Sequence, residues 1–261
     1  MTNLTYTTYL QIPDLLSLQH RASQPAEHDE MLFIIIHQVY ELWFKQLLFE
    51  FDHLQAQLAA NDQYGAMHTL LRSLKILKVM VAQFDILETM TPLDFSTFRS
   101  ALTTASGFES YQFRELEFML GEKHPKKMNH FPDGSLERTA VLARYHAPTL
   151  WDAFLHYLAR QGVNIPADLL QRDITQPIAP HAGLQAVLLH VYRTDPFIKQ
   201  LCELMVDFDE GLMEYRYRHI MMVQRTIGTR TGTGGSTGVE YLRTTLFKPA
   251  FPDLWAIRNQ M

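Results

Sequence analysis

The sequence predicts an all-α protein built as a helical bundle. Apolar side chains recur every three or four residues through most of the 261-residue chain, which is the period of a helix with one buried face. Segments that alternate apolar and polar residues, as half-buried strands do, are scarce. Three of the periodic segments are long enough for helices of six or more turns. We therefore expect one domain over residues 1–261, with long helices packed side by side.

The first two long helices are predicted from about Pro25 to Leu58 and from about Tyr64 to Leu87. Each presents an apolar stripe at helical spacing, so one face of each helix is expected to be buried. The stripe of the first helix is Phe33, Ile36, Tyr40, Phe44, Leu47, Phe51, Leu54 and Leu58. The stripe of the second helix is Leu70, Leu74, Leu77, Val81, Phe84 and Leu87.

A short helix is predicted to begin at Pro92. Thr91 suits its N-cap, proline suits the first helical position, and Asp94 favours the positive end of the helix dipole. The sequence "TTASG" interrupts the pattern, and a further helix is predicted from about Glu109 to Leu120.

The second half of the chain returns to helices after an interrupted middle. Prolines 166, 177 and 180 mark a mostly irregular stretch, where a domain boundary is possible but not required. The predicted helices run from about Leu136 to Ala143, Leu150 to Gln161, Gly183 to Tyr192 and Pro196 to Ile227.

The composition argues against several classes of partner and location. The formal net charge of −5 disfavours electrostatic binding to nucleic acid or to an anionic membrane. The longest clean apolar run, Met31 to Ile36, is too short to cross a bilayer, and no secretion signal is evident. With Cys202 as the one cysteine, an internal disulfide and a cysteine-rich zinc site are ruled out. We expect a cytoplasmic protein with neither nucleic-acid nor membrane partners.

The glycine-rich run from Gly228 to Gly238 superficially suggests a phosphate-binding loop. It contains no lysine, which a Walker loop needs to reach the terminal phosphates. The dinucleotide fingerprint also fails, because Thr237 stands where its third glycine belongs and the run follows a helix instead of a strand. Two interpretations remain: a mobile linker, or a loop that closes over a polar small molecule.

Two histidines lie on predicted inward faces of different helices. His219 follows Tyr215 by one turn in the last long helix, and His37 follows Phe33 by one turn in the first. Each could be a hydrogen-bonded core histidine. Together they could bind one metal, or flank a planar cofactor such as haem as axial ligand and distal group. A di-iron bundle needs two Glu-x-x-His pairs, and only that of Glu50 and His53 is present.

Arg99 is the third unusual residue on an apolar face. It is predicted to share a helical face with Phe95 and Leu102. Its planar guanidinium suits a carboxylate partner if it is buried. Alternatively, its stem packs while its charged end reaches water.

Four stretches of the sequence together resemble the tryptophan 2,3-dioxygenase family. They are "LTYTTYL" from Leu4, "HDEMLFIIIHQVYELW" from His28, "FRSALTTASGFESYQFR" from Phe98 and "RYRHIMMVQRTIGTRTGTGGSTG" from Arg216. Their order and separation fit along almost the whole chain, whereas residues 121–190 carry little of the resemblance. The family is all-helical and opens the indole ring of L-tryptophan with a haem cofactor.

The resemblance implies a role for each matching residue around the cofactor. His219 matches the proximal haem ligand and so the metal ligand, while Ser106 and Gly107 match cofactor-binding positions. His37 matches the distal histidine that faces the indole N–H, and is the expected catalytic residue. Phe33 matches an aromatic that packs on the indole.

Further residues match positions that bind the amino-acid end of the substrate. Arg99 matches the arginine that pairs with the carboxylate, and Thr233 matches a threonine on a mobile loop, residues 228–238, that orders over the substrate. Phe95 stands where some members carry tyrosine, so one hydroxyl contact is missing. Tyr6 and Tyr9 match tyrosines that reach the active site of a neighbouring subunit, which implies that the N-terminal segment 1–22 contacts that subunit.

The implied reaction inserts both atoms of O₂ across the indole C2–C3 bond and gives N-formyl-L-kynurenine, the first step of the kynurenine pathway. It implies one haem b per subunit, ferrous in the active form, and a homotetramer arranged as a dimer of dimers. Two alternatives stay open on the sequence. One is a related haem enzyme that hydroxylates an indole or accepts a substituted tryptophan, and the other is a helical scaffold with core histidines.

Overall fold

The computed structural model describes residues 3–230, 232 and 239–261, and these residues form helices and connecting turns without a β-strand. The expectation of an all-α fold is therefore confirmed. The α-helices are α1 Tyr6–Tyr9, α2 Ile12–Leu15, α3 His28–Ala59, α4 Gln63–Leu87, α5 Pro92–Phe98, α6 Tyr111–Met119, α7 Leu136–Tyr145, α8 Leu150–Arg160, α9 Ala167–Leu170, α10 Ala182–Thr194, α11 Pro196–Ile227, α12 Val239–Arg243 and α13 Pro252–Ala256. Shorter 3₁₀ turns span Arg99–Leu102, Gly107–Glu109, Pro125–His130 and Ile257–Gln260.

The three long helices predicted from periodicity form the centre of the molecule. Helix α4 packs along both α3 and α11. Aromatic rings close the space between α3 and α11: the ring centroids of Phe51 and Phe208 are 5.1 Å apart, and those of Tyr40 and Tyr215 are 6.1 Å apart. Helices α6 and α8 pack on the outside of α3, and α10 packs on α11. The core therefore runs along the bundle axis between α3, α4 and α11.

Local signals set the helix ends where the sequence places them. The Thr91 hydroxyl accepts from the Asp94 amide while the Asp94 carboxylate accepts from the Thr91 amide, so the predicted start of α5 is a capping box. At the far end of the chain, α11 stops at Gly228, whose φ of 63° favours glycine.

One sequence expectation needs correction at Arg99. The α-helix that begins at Pro92 ends at Phe98, and Arg99 opens a separate 3₁₀ turn that ends at Leu102. The tighter winding of such a turn changes which residues share a face. Phe95 and Arg99 still line the same cavity, but Leu102 is not among the residues that line it.

A buried lysine ties the α6–α7 region together. The Lys123 ammonium donates to the carbonyls of Arg144, Tyr145 and Ala147 at 2.6–2.8 Å, at the C-terminal end of α7. Its side chain is almost fully buried, and burial lowers its pKa to about 8. One side chain thus donates to three carbonyls at the end of α7, of which that of Arg144 also accepts from the Ala147 amide at 3.2 Å.

We expect Lys123→Met to destabilise the fold by about 2 kcal/mol, because it keeps most of the packing but removes the donor from three carbonyls. The free energy of unfolding, from denaturant titration, measures this loss. Lys126→Met is the matched control, since Lys126 is exposed. Equal stabilities of the two variants would contradict the capping role.

Candidate active site

A cavity of about 310 Å³ opens between α3, α5 and α11 and the segment that leads into α6. This volume is within the range of small-molecule and cofactor sites. Seven of the sequence-predicted site residues line it together, although they come from four separate parts of the chain. They are Phe33, His37, Phe95, Arg99, Ser106, Gly107 and His219.

His219 projects into this cavity from α11 as a neutral imidazole. Burial, and to a smaller extent the charge of His37, lower its pKa to about 4. The imidazole lies beside the Phe84 and Tyr215 rings, with centroids 6.1 and 6.3 Å away. Within the described part of the chain, neither ring nitrogen has a hydrogen-bond partner. A neutral imidazole that faces a cavity and that the described residues leave without a hydrogen bond is suited to bind a ligand.

His37 faces the same cavity from α3, and its hydrogen bond fixes which nitrogen is available. The Nδ1 atom lies 2.7 Å from the Phe33 carbonyl oxygen, which can only accept, so Nδ1 carries the proton. Protein packs around the ring although water reaches it through the cavity, and burial lowers its pKa. The hydrogen bond to Phe33 and the charge of Glu41 oppose this shift. Nε2 of the neutral ring is therefore left as a hydrogen-bond acceptor.

Aromatic rings form the wall beside His37. The Phe33 ring centroid lies 4.1 Å from that of His37, 5.8 Å from that of Phe95 and 5.5 Å from that of Phe98. Phe98 is fully buried behind the other two rings and holds them in place. Such a wall offers apolar contact and ring stacking to a flat aromatic ligand.

Arg99 lies at the edge of this aromatic wall. Its side chain is half-buried and lines the cavity next to Phe95. It is a permanent cation with a forked set of donors, so a charged group borders the apolar wall on this side of the cavity. That arrangement fits a ligand with a carboxylate at one end and a ring at the other.

Ser106 and Gly107 line the side of the cavity that leads into α6. The Ser106 hydroxyl accepts from the Phe108 amide, 3.4 Å away, and caps the turn that begins at Gly107. A Cβ atom built at Gly107 would meet no described atom within 4 Å. Contacts inside the described protein therefore do not explain a glycine at this position.

Three predicted residues are not in this group. Tyr6 and Tyr9 lie on α1 and expose 76% and 69% of their surface, and neither lines the cavity. Thr233 lies outside the described residues. A substrate role for Tyr6 and Tyr9 therefore requires another chain to bring them to a cavity.

The structure adds cavity residues that the sequence analysis treated as core or did not discuss. Phe84 and Tyr215 were predicted only as members of buried stripes, yet both rings flank His219. Arg114, Glu117 and Arg216 also line the cavity. In the sequence, each is a charged residue on an otherwise apolar helix face. Such a position indicates that the charge is paired.

Arg216 connects the cavity wall to the C-terminal segment. Its guanidinium donates to the Lys248 carbonyl at 2.7 Å, to the Thr245 carbonyl at 3.3 Å and to the Glu122 carboxylate. Burial raises the pKa of Glu122, but the charges of Arg216 and Lys127 outweigh it, so the pKa is lowered and the group stays ionised. The segment that follows residues 231–238 is thus fixed one turn below His219.

The described residues also limit what kind of site this is. Within them, no group of three or more His, Cys, Asp or Glu side chains is placed to hold an ion. The same part of the chain has no helix both long and apolar enough to span a bilayer.

Two neutral imidazoles that face one aromatic cavity between long helices are suited to a cofactor and a flat organic substrate, which is the architecture of an all-helical oxidoreductase. A family model described as tryptophan 2,3-dioxygenase matches residues 1–160 and 175–261. The chain belongs to the tryptophan 2,3-dioxygenase family. The match extends well into residues 121–190, where the sequence motifs carry little of the resemblance.

Curated members of this family are similar to the chain over nearly all of their length. A tryptophan 2,3-dioxygenase of Herpetosiphon aurantiacus is 54% identical over 99% of this chain and 98% of its own. One of Anaeromyxobacter sp. (strain K) is 50% identical over 99% of this chain and 96% of its own. One of Arthrobacter sp. (strain FB24) is 40% identical over the whole of this chain and 93% of its own.

Proposed function

We propose that this chain is a haem-dependent dioxygenase that inserts both atoms of O₂ across the indole C2–C3 bond of L-tryptophan and yields N-formyl-L-kynurenine. The family supports oxidation of tryptophan by dioxygen. The observation that carries the proposal for this site is the pair of neutral histidines in one aromatic cavity. His219 has no hydrogen-bond partner among the described residues, and His37 is left with Nε2 as an acceptor.

The residues present fit a haem b, one per chain. His219 would hold its iron, because its imidazole is neutral, faces the cavity and is not hydrogen-bonded to any described residue. The flanking Phe84 and Tyr215 rings offer apolar contact to a flat macrocycle, and Ser106 and Gly107 line the cavity at another side. When bound in its ferrous form, the haem supplies activation of dioxygen, and the protein supplies ligation, orientation and exclusion of water.

His37 would orient the indole. The Nδ1–H bond to the Phe33 carbonyl leaves Nε2 facing the cavity as an acceptor for the indole N–H. Because burial lowers its pKa, the ring stays neutral at physiological pH. A neutral imidazole is far too weak a base to remove the indole proton beforehand. It would therefore hold the N–H and accept the proton only as positive charge develops on that nitrogen.

Phe33, Arg99 and Thr233 would position the rest of the substrate. The Phe33 ring would pack on the indole, and Arg99 would pair with the carboxylate. Thr233 belongs to the proposed mobile loop 228–238 and would contact the ammonium and carboxylate end. With Phe95 instead of tyrosine, no phenol contributes at that position, so binding of the carboxylate depends more on Arg99.

We also propose that the chain forms one domain and assembles as a homotetramer, arranged as a dimer of dimers. The exposed apolar surface of the N-terminal segment supports this, because Leu4, Leu16 and Leu18 are each more than half exposed in the single chain. Tyr6 and Tyr9 share that segment and would enter a neighbouring subunit's cavity.

A single reaction with labelled dioxygen tests the proposal. Ferrous, haem-loaded protein is mixed with L-tryptophan and ¹⁸O₂, and the products are analysed by mass spectrometry. Two labelled atoms in a ring-opened product are expected. One labelled atom in a ring-intact product would instead identify a hydroxylase, and failure to bind haem would leave a helical scaffold as the interpretation.

We expect His37→Ala to lower turnover while haem stays bound, since the variant removes the acceptor for the indole N–H but not the axial ligand. A loss of about 100-fold in kcat/KM is in the range for one positioned proton acceptor. Haem absorbance and turnover, measured on the same sample, separate the two effects. If His37→Ala loses haem, the two histidines have been assigned in reverse.

We expect a double variant, Tyr6→Ala with Tyr9→Ala, to raise the KM for tryptophan while haem binding is unchanged. The effect comes from contacts that another subunit provides, so mixing this variant with Arg99→Leu chains should restore part of the activity in hybrid tetramers. Full activity in a monomeric preparation of the unmodified chain would contradict a role across the subunit interface.

A further inference from the structure

A second, much smaller cavity lies beside the first between α3, α4, α6 and α11. It encloses about 20 Å³ and shares five residues with the large cavity, among them the Phe44, Phe113 and Tyr215 rings. We call it the satellite cavity. Its remaining residues are all buried, so protein separates it from the outside.

The walls of the satellite cavity are apolar. Leu47, Leu77, Met80 and Leu212 supply aliphatic and thioether surface that is less than a tenth exposed. Two charged residues, Glu117 and Arg216, also reach the wall, but their charged ends are engaged elsewhere. Glu117 accepts from Lys127 at 3.0 Å and from Arg114, and Arg216 binds Glu122 and the Lys248 carbonyl. The cavity therefore offers little to a water molecule.

Size and polarity together select the occupant. A void of this volume has room for one molecule of two or three atoms, and an apolar void of that kind stays dry but takes up apolar guests such as xenon. We propose that the satellite cavity is a docking site for dioxygen next to the catalytic cavity. The assignment to dioxygen rests on the proposed dioxygenase function, which requires this apolar gas as a substrate.

The wall between the two cavities is made of side chains that can rotate. The ring centroids of Phe44 and Phe113 are 5.3 Å apart, and those of Phe113 and Tyr215 are 6.2 Å apart. A change of χ1 at these side chains would open a passage without moving the helix backbones, and Tyr215 lies one turn from His219. Dioxygen held there would be adjacent to the site where it is consumed.

Xenon is the probe for the first test, since it is apolar, inert and visible by its anomalous scattering. Crystals of the haem-loaded enzyme under xenon pressure are expected to show an atom between Leu77 and Leu212. Xenon elsewhere only, or none, would overturn the proposal. Xenon binding requires no turnover, so an active enzyme without xenon in this cavity refutes the gas site alone. If xenon occupies the cavity but the chain neither binds haem nor oxidises tryptophan, the proposed dioxygenase function is refuted. The assignment of the cavity to dioxygen is then refuted with it.

The second test fills the cavity. Leu212→Phe places a ring in the void, whereas Leu212→Met nearly conserves the volume and is the matched control. We expect Leu212→Phe to raise the KM for dioxygen on the order of threefold or more, because a filled cavity would slow the arrival of dioxygen. Variants of one binding site commonly differ in association rate by at least this much. The KM for tryptophan and kcat at saturating oxygen should be unchanged. An unaltered KM for dioxygen in a folded, haem-loaded Leu212→Phe enzyme would overturn the proposal, and the xenon test remains decisive if this variant does not fold.

Discussion

His219→Ala should abolish stable haem binding and, with it, turnover of tryptophan. The variant removes the neutral imidazole that faces the cavity and leaves the described residues around it in place. Coordination by the His219 imidazole would be the main bond from this site to the iron of a haem, so we expect the dissociation constant to rise by on the order of 100-fold or more. Titration of cofactor-free protein with haem, followed by visible absorbance, measures this change.

Chemical rescue makes that test specific. Because alanine leaves room where the ring was, added imidazole should restore part of the haem absorbance of His219→Ala. His53→Ala is the matched control, since His53 lies on α3 with its side chain exposed. Retention of tightly bound haem by His219→Ala would show that another group is the ligand, and His37 is the other imidazole that lines the cavity.

The helices of this fold are predictable because the information that forms them is local. The apolar period of α3, α4 and α11 extends over six or more turns, and the starts at Thr91 and Pro196 follow from side chains within one turn. The same period predicts that His37 and His219 point inward. Their meeting in one cavity needs the packing of α3 and α11 across α4, which periodicity does not encode.

The parts that sequence reasoning missed depend on contacts between distant residues. Glu122 and Arg216 are 94 positions apart, and neither alone indicates that the C-terminal segment is fixed beneath His219. Arg99 was placed on a continuous helix because its neighbours fit that period, but the last turn tightens into a 3₁₀ turn after Phe98. The satellite cavity likewise arises from packing between helices. In the sequence, its residues are indistinguishable from other core residues.

Arg99→Leu should weaken binding of L-tryptophan on the order of 100-fold, about 2.7 kcal/mol, because a carboxylate would then enter the cavity without its cation. Leucine keeps the apolar part of the side chain, so the aromatic wall of Phe33 and Phe95 should persist. The dissociation constant, measured from the change in haem absorbance on binding, reports the loss.

Two analogues and one control variant separate the role of Arg99 from a general disturbance. Indole-3-propionate keeps the carboxylate but lacks the ammonium, so its affinity should fall as that of tryptophan does. Tryptamine lacks the carboxylate, and its affinity should change little. Arg225→Leu is the matched control, because Arg225 is exposed on α11 and pairs with Glu88 at 3.6 Å outside the cavity lining. Equal losses for tryptophan and tryptamine would mean that Arg99 supports the shape of the cavity without binding the carboxylate, and recognition of the amino-acid end would then fall to residues of the 228–238 loop.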